Sequence, residues 1–169
     1  MHRHLRAACL ALLALACQQD PPLEVAQVDL SRMQGKWFEI AKLPRPSQAG
    51  CTGTTAEYQL KSPNELLVVN ECREGKLDGP VKRVAARAVA TDASVPAKLS
   101  IDFGFAYGDY WIVEVGSDYE YAVVGHPTRD YLWILSRAHT LPQATLHGVL
   151  ERAKGRGFPV GILDYTQQQ

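Results

Sequence analysis

Two short segments constrain this chain more than anything else in it. One is Gly35-Lys36-Trp37-Phe38-Glu39-Ile40-Ala41 near the start, the other Tyr131-Leu132-Trp133-Ile134-Leu135-Ser136-Arg137 near the end. Between them run short alternating apolar and polar stretches with almost no helical period. An early glycine and tryptophan with a late arginine are what one closed antiparallel barrel requires. Gly35 lets the backbone turn closely across one end, Trp37 plugs that end, and Arg137 lies over the indole as a cation on a π face. A tube sealed at one end and open at the other is a container, which points to holding a ligand rather than to chemistry.

The alternating stretches cover 36–43, 54–60, 66–70, 82–91, 98–103, 109–115, 119–125 and 131–136. Strands at this regular spacing imply a sandwich or barrel. A helical turn over 29–33 precedes the first, and Pro44-Arg45-Pro46 ends it, because proline cannot donate to a ladder. One helix follows the last strand. Thr140 and Gln143 read as a capping box, Leu146, Val149, Leu150 and Ala153 recur at helical spacing, and Gly155, Gly157 and Pro159 close it. The tail over 160–165 is read as a short edge strand.

Residues 1–16, basic and then apolar, read as a signal peptide too short to span a bilayer. Ala16 before Cys17 resembles a bacterial lipoprotein signal, which predicts a lipidated Cys17; an ordinary secretory peptide cut nearby is the alternative. Removing that segment takes away Arg3 and Arg6 and no acid, so a chain with 18 basic and 18 acidic residues becomes slightly negative. With no basic stripe, no nucleic-acid partner is expected. In an oxidising compartment the remaining cysteines become readable. A turn at Lys61-Ser62-Pro63-Asn64 folds the flanking strands into a hairpin that sets Cys51 opposite Cys72, near its open end, and predicts a disulfide.

On these motifs, with Asp109-Tyr110-Trp111-Ile112 where a second family motif lies, the chain resembles the lipocalins, specifically the bacterial outer-membrane lipoprotein lipocalins related to apolipoprotein D. Gly108 stands before Asp109 where threonine is commoner. The resemblance implies an all-β, eight-stranded antiparallel up-and-down barrel (a calyx) with one C-terminal α-helix. It divides the chain into 1–16 signal peptide, 17–28 lipidated N-terminus and tether, and 29–169 barrel domain. It implies a carrier of small hydrophobic molecules, fatty acids or lysophospholipids, held at the outer membrane by its lipid anchor and facing the periplasm. Neither a cofactor nor a metal is implied, and a homodimer stays open.

Alternation along each strand predicts the lining. It comprises Ala56, Tyr58, Ala86, Ala88, Leu99, Ile101, Phe103, Tyr110, Ile112, Ala122, Val124, Trp133 and Leu135, with Gly35, Trp37 and Arg137 closing the floor. The alanines matter because an eight-stranded barrel leaves little interior room, and small residues open a cavity. Arg87 and Lys98 are the candidate cations for an anionic head group at the mouth. Enzyme signatures are weak. There is no Gly-x-Ser-x-Gly elbow, His126, His139 and His147 lack metal-ligand spacing, and Asp102 and Glu114 stand without evident partners. No catalytic residue is assigned. A lipid-modifying enzyme on the same barrel, or a structural lipoprotein with a plugged barrel, are the alternatives.

Overall fold

The computed structural model describes residues 21–168; the predicted signal peptide and Cys17 lie outside them. The strands are β1 (Gly35–Lys42), β2 (Cys51–Ser62), β3 (Glu65–Glu74), β4 (Val81–Ala90), β5 (Lys98–Asp102), β6 (Tyr107–Val115), β7 (Tyr121–Gly125) and β8 (Leu132–Ser136). Each pairs antiparallel with the next, and β1 pairs with both β8 and β2, which closes the barrel. Helix α1 (Gln143–Gly155) and a two-residue strand, β9 (Asp164–Tyr165), lie outside it, with β9 on the upper end of β1.

Strand alternation produces two cores. Inward side chains, among them Trp37, Tyr58, Leu99, Ile112 and Val124, pack inside the barrel. Outward ones of β1 and β6–β8, including Ile40, Val113, Val123 and Ile134, pack beneath α1 against Val149, Ala153 and Phe158. Each fully buried aliphatic side chain is worth about 1.5–3 kcal/mol of transfer.

Several expectations need correcting. Helix α1 begins at Gln143 with Pro142 in the capping position and no side-chain cap. Thr140 lies too early, because proline disfavours helical geometry in the residue before it, so Leu141 cannot be the first helical residue. Strand β7 starts at Tyr121 and not at Tyr119, because Tyr119 (φ 57°) adopts left-handed turn geometry, and β8 starts one residue later than expected, at Leu132. The tail forms a turn over Val160–Ile162 before β9, not one continuous strand.

The disulfide forms, with the Cys51 and Cys72 Cα atoms 5.5 Å apart. The two do not face each other directly: Cys51 pairs with Glu74, and a bulge between Thr52 and Thr55 shifts the register. The bond therefore crosses the strands diagonally.

Glu114 is not isolated. Its carboxylate accepts from Arg152 (2.6 Å), Arg156 (2.6 Å) and the Tyr121 hydroxyl (2.9 Å), tying β6 to the helix. Burial pushes its carboxyl up, but these donors pull harder and leave it below the ordinary range. Asp102 accepts from the Gly104 amide, a local turn contact.

Candidate functional site

The closed end is built as its sequence suggests. Gly35 has φ +92°, which favours glycine, and a Cβ there would meet an Arg137 guanidinium nitrogen at 3.4 Å. That guanidinium lies 3.7 Å from the Trp37 ring centre and donates to the Lys36 and Arg32 carbonyls. The indole N–H donates to Met33 in a 3-10 turn, Leu30–Met33, which crosses beneath the barrel.

The opposite end is open, and a cavity of about 800 Å³ descends from it. Ala56, Ile101, Phe103, Tyr110, Trp133 and Leu135 of the predicted lining are on its wall. Tyr58, Ala86, Ala88, Leu99, Ile112, Ala122 and Val124 also point inward, but they pack with one another in the lower half and do not line it. The alanines on β4 and β7 are therefore filled around rather than left as space. Larger neighbours such as Leu66 and Val68 take up the volume. The barrel is half core and half container.

At the boundary the Tyr58 and Tyr110 hydroxyls meet at 2.5 Å. Burial raises both phenols, Tyr110 to about 12 and Tyr58 well above its ordinary value, so both stay protonated. One hydroxyl donates to the other, leaving the acceptor's own O–H available.

The polar side of the cavity was the part hardest to read from sequence. Glu39, 2% exposed, lines it and accepts from Gln48 (3.0 Å) and the Thr166 hydroxyl (2.5 Å). Burial holds its carboxyl above the ordinary value despite those donors. Gln48 also accepts from the Trp133 indole. The Arg45 guanidinium lies 4.7 Å from the Tyr131 ring centre and 4.9 Å from that of Trp133, two stacked aromatics at the mouth. Its Nε and the Thr54 hydroxyl are buried without partners. Two cues existed in the sequence: Glu39 shares the period-two parity of Trp37, and Arg45 is held between Pro44 and Pro46.

The predicted cations fall elsewhere. Arg87 points outward and pairs with Glu65 at 2.6 Å, and Lys98 stacks over the Trp111 ring at 4.7 Å on the barrel exterior. Arg45, Lys82 and Arg83 are the arginine and lysine residues on the cavity wall. Gly108 is on the wall too, and a Cβ there would meet open space. His139 stacks on Phe38 and His126 contacts Thr128. Among the described residues no cluster of His, Cys, Asp and Glu could hold a metal.

A family description of a lipocalin-like domain matches residues 28–168. The outer membrane lipoprotein Blc of Escherichia coli is 34% identical over 167 residues, spanning 96% of this chain and 94% of that protein. Apolipoprotein D of Cavia porcellus is 32% identical over 159 residues, spanning 88% and 81%. Among solved structures, insecticyanin from the tobacco hornworm Manduca sexta superposes with a TM-score of 0.65 at 22% identity, covering 91% of this chain and 87% of its own. That last likeness concerns the fold alone.

Proposed function

The chain belongs to the lipocalin family, whose fold and relatives support binding or transport of small hydrophobic molecules, and from that premise we propose that this cavity holds a single acyl chain with an anionic head. The observation that carries the reading is the pairing of an apolar wall, Ala56, Ile101, Phe103 and Leu135, with the aromatic-stacked Arg45 above it. The volume falls within the ~300–1,000 Å³ of small-molecule sites. About twelve buried methylenes at ~0.8 kcal/mol each give roughly 10 kcal/mol gross. Ordering and association costs then leave low micromolar affinity. A fatty acid or lysophospholipid meets both requirements, with its carboxylate or phosphate against Arg45 rather than Arg87 or Lys98. Binding is reversible and without turnover. The envelope is the place proposed for it, with Cys17 lipidated at the outer membrane, the barrel in the periplasm, and the processed chain starting at residue 17. Relatives named as outer membrane lipoproteins support this placement.

Displacement of a fluorescent fatty acid from delipidated protein tests the reading. Gly108→Trp puts bulk into the cavity from ordinary backbone with no neighbour in the way, and it should abolish binding while circular dichroism stays unchanged. Ala122→Trp, fully buried in the packed half, should instead cost stability, since overpacking costs about 1–3 kcal/mol. Arg45→Gln should weaken a fatty acid more than the matching fatty alcohol. A parent protein that binds no acyl ligand at tens of micromolar would overturn the carrier and leave the plugged barrel.

A further inference from the structure

Two features with no necessary connection occur at the same end of the barrel. The first is where the chain enters. The Pro21 carbonyl accepts from Arg129, in the β7–β8 connection, at 2.5 Å. That connection is on the open rim, since β7 rises to Gly125 and β8 descends from Leu132 toward Arg137 at the floor. Four residue steps separate Pro21 from Cys17, at most about 15 Å at 3.8 Å per Cα.

The second feature is the distribution of exposed apolar side chains. Among the described residues, the large hydrophobic side chains left exposed are Val81, Phe105, Tyr107, Tyr131, Ile162 and Tyr165. All belong to the upper end. Val81 opens β4 opposite Arg73, Phe105 is in the β5–β6 connection, Tyr107 opens β6, and Tyr131 precedes β8. Ile162 and Tyr165 flank Asp164, which pairs with Lys42 at the top of β1. Phe105 and Tyr107 are 82% and 86% exposed, yet both also border the cavity. The lower connections carry polar tips instead: Pro63-Asn64, Asp92-Ala93-Ser94 and Ser117-Asp118.

We propose that the open end of this barrel docks on a lipid bilayer, with Phe105 and Tyr107 inserted at the headgroup boundary and the cavity facing the acyl chains. A bilayer fits better than a protein partner for two reasons. The apolar residues are set on separate projections around an opening, not on one continuous face. Tyrosine rings, apolar in body and polar at the tip, suit the membrane interface. Exposed Lys82 and Arg83 flank Val81 and suit phosphate headgroups. A tether leaving beside the rim holds the mouth toward the membrane, so an acyl chain passes from bilayer to cavity without crossing water. The presence of a bilayer rests on the envelope placement proposed above, whereas the orientation rests on the rim.

The test uses protein expressed with its leader, recovered from the envelope and reconstituted into phosphatidylethanolamine–phosphatidylglycerol vesicles containing lipids brominated along the acyl chain. Phe105→Trp and Ser117→Trp place reporters at the rim and at a lower turn, each read as the change over the parent's own tryptophans. Docking predicts a blue shift and loss of emission at 105 and neither at 117. Quenching at 117 alone, at both positions or at neither overturns the proposal. Acyl binding by the parent is measured separately. Acyl binding by the parent with no quenching at the 105 reporter loses the docking and keeps the carrier, and the reverse result keeps the docking and loses the carrier.

Discussion

Replacing Arg137 with alanine should destabilise the barrel by about 3 kcal/mol, through losses that the geometry itemises. The guanidinium 3.7 Å from the Trp37 ring centre is half-buried, so its cation–π contact is worth ~1 kcal/mol, between exposed and desolvated cases. Its two hydrogen bonds, to Lys36 O at 3.1 Å and Arg32 O at 2.7 Å, are charge-assisted. Both carbonyls become accessible to water once the side chain is gone, so about 1 kcal/mol each is a fair discount on the ~1.5–3 of a bond to a charged group. At ~2–4 °C per kcal/mol for a domain of this size, the thermal midpoint should fall by about 6–12 °C. Arg137→Lys should recover less than half, because an ammonium cannot bridge two carbonyls while lying flat on an indole. Thermal unfolding by circular dichroism provides the measurement, and fatty-acid displacement at 25 °C should not change, because the cavity opens at the far end. A cycle with Trp37→Leu, which removes the π face, isolates the ring contact. A midpoint within 1 °C of the parent, or strictly additive effects in the cycle, would refute the idea that these residues lock the floor together.

Glu39 and the disulfide give two further outcomes. Because burial, the largest influence, raises the Glu39 carboxyl in the folded protein, ionising it costs the folded state. That cost begins as pH rises past the unfolded value near ~4.3 and is complete above the folded one. Glu39→Gln should therefore match the parent below about pH 4 and exceed it in unfolding free energy at pH 7; a deficit at pH 7 would show that the charge is wanted. Cys51 and Cys72, 21 positions apart, should appear in one linked fragment on peptide mapping without reductant. Replacing both with serine should cost about 3 kcal/mol in a denaturant titration.

Inward and outward faces were legible in this sequence because a strand has period two, and one anchor such as Trp37 or Phe103 sets the parity of its whole strand. The floor was legible for a related reason: Gly35, Trp37 and Arg137 are residue types with narrow uses. How deep the cavity runs was not, since that depends on how Leu66, Val68 and Tyr58 share volume with Ala86, Ala88 and Ala122, which no single strand records. The helix starts at Gln143 and not after Thr140 for a local reason, the hold of Pro142 over Leu141. Glu114 could not be partnered from sequence because Arg152 and Arg156 reach it only after α1 docks. Arg87 and Lys98 are on the outward face, toward the lower β4–β5 turn, and strand direction as well as side-chain parity has to be followed to see that they miss the mouth.

The tyrosine pair that separates core from cavity has a consequence for how such a protein can change over time. Below Tyr58 and Tyr110 the interior is close-packed, so substitutions there are felt as lost stability. Above them, positions such as Gly108 border empty space. Mutations can accumulate at such open positions without threatening the fold, and each re-shapes the ligand the vessel prefers. Selection can act on specificity and on foldability as nearly separate traits, and a designer wishing to load this barrel with a dye or a drug would know which half to leave alone.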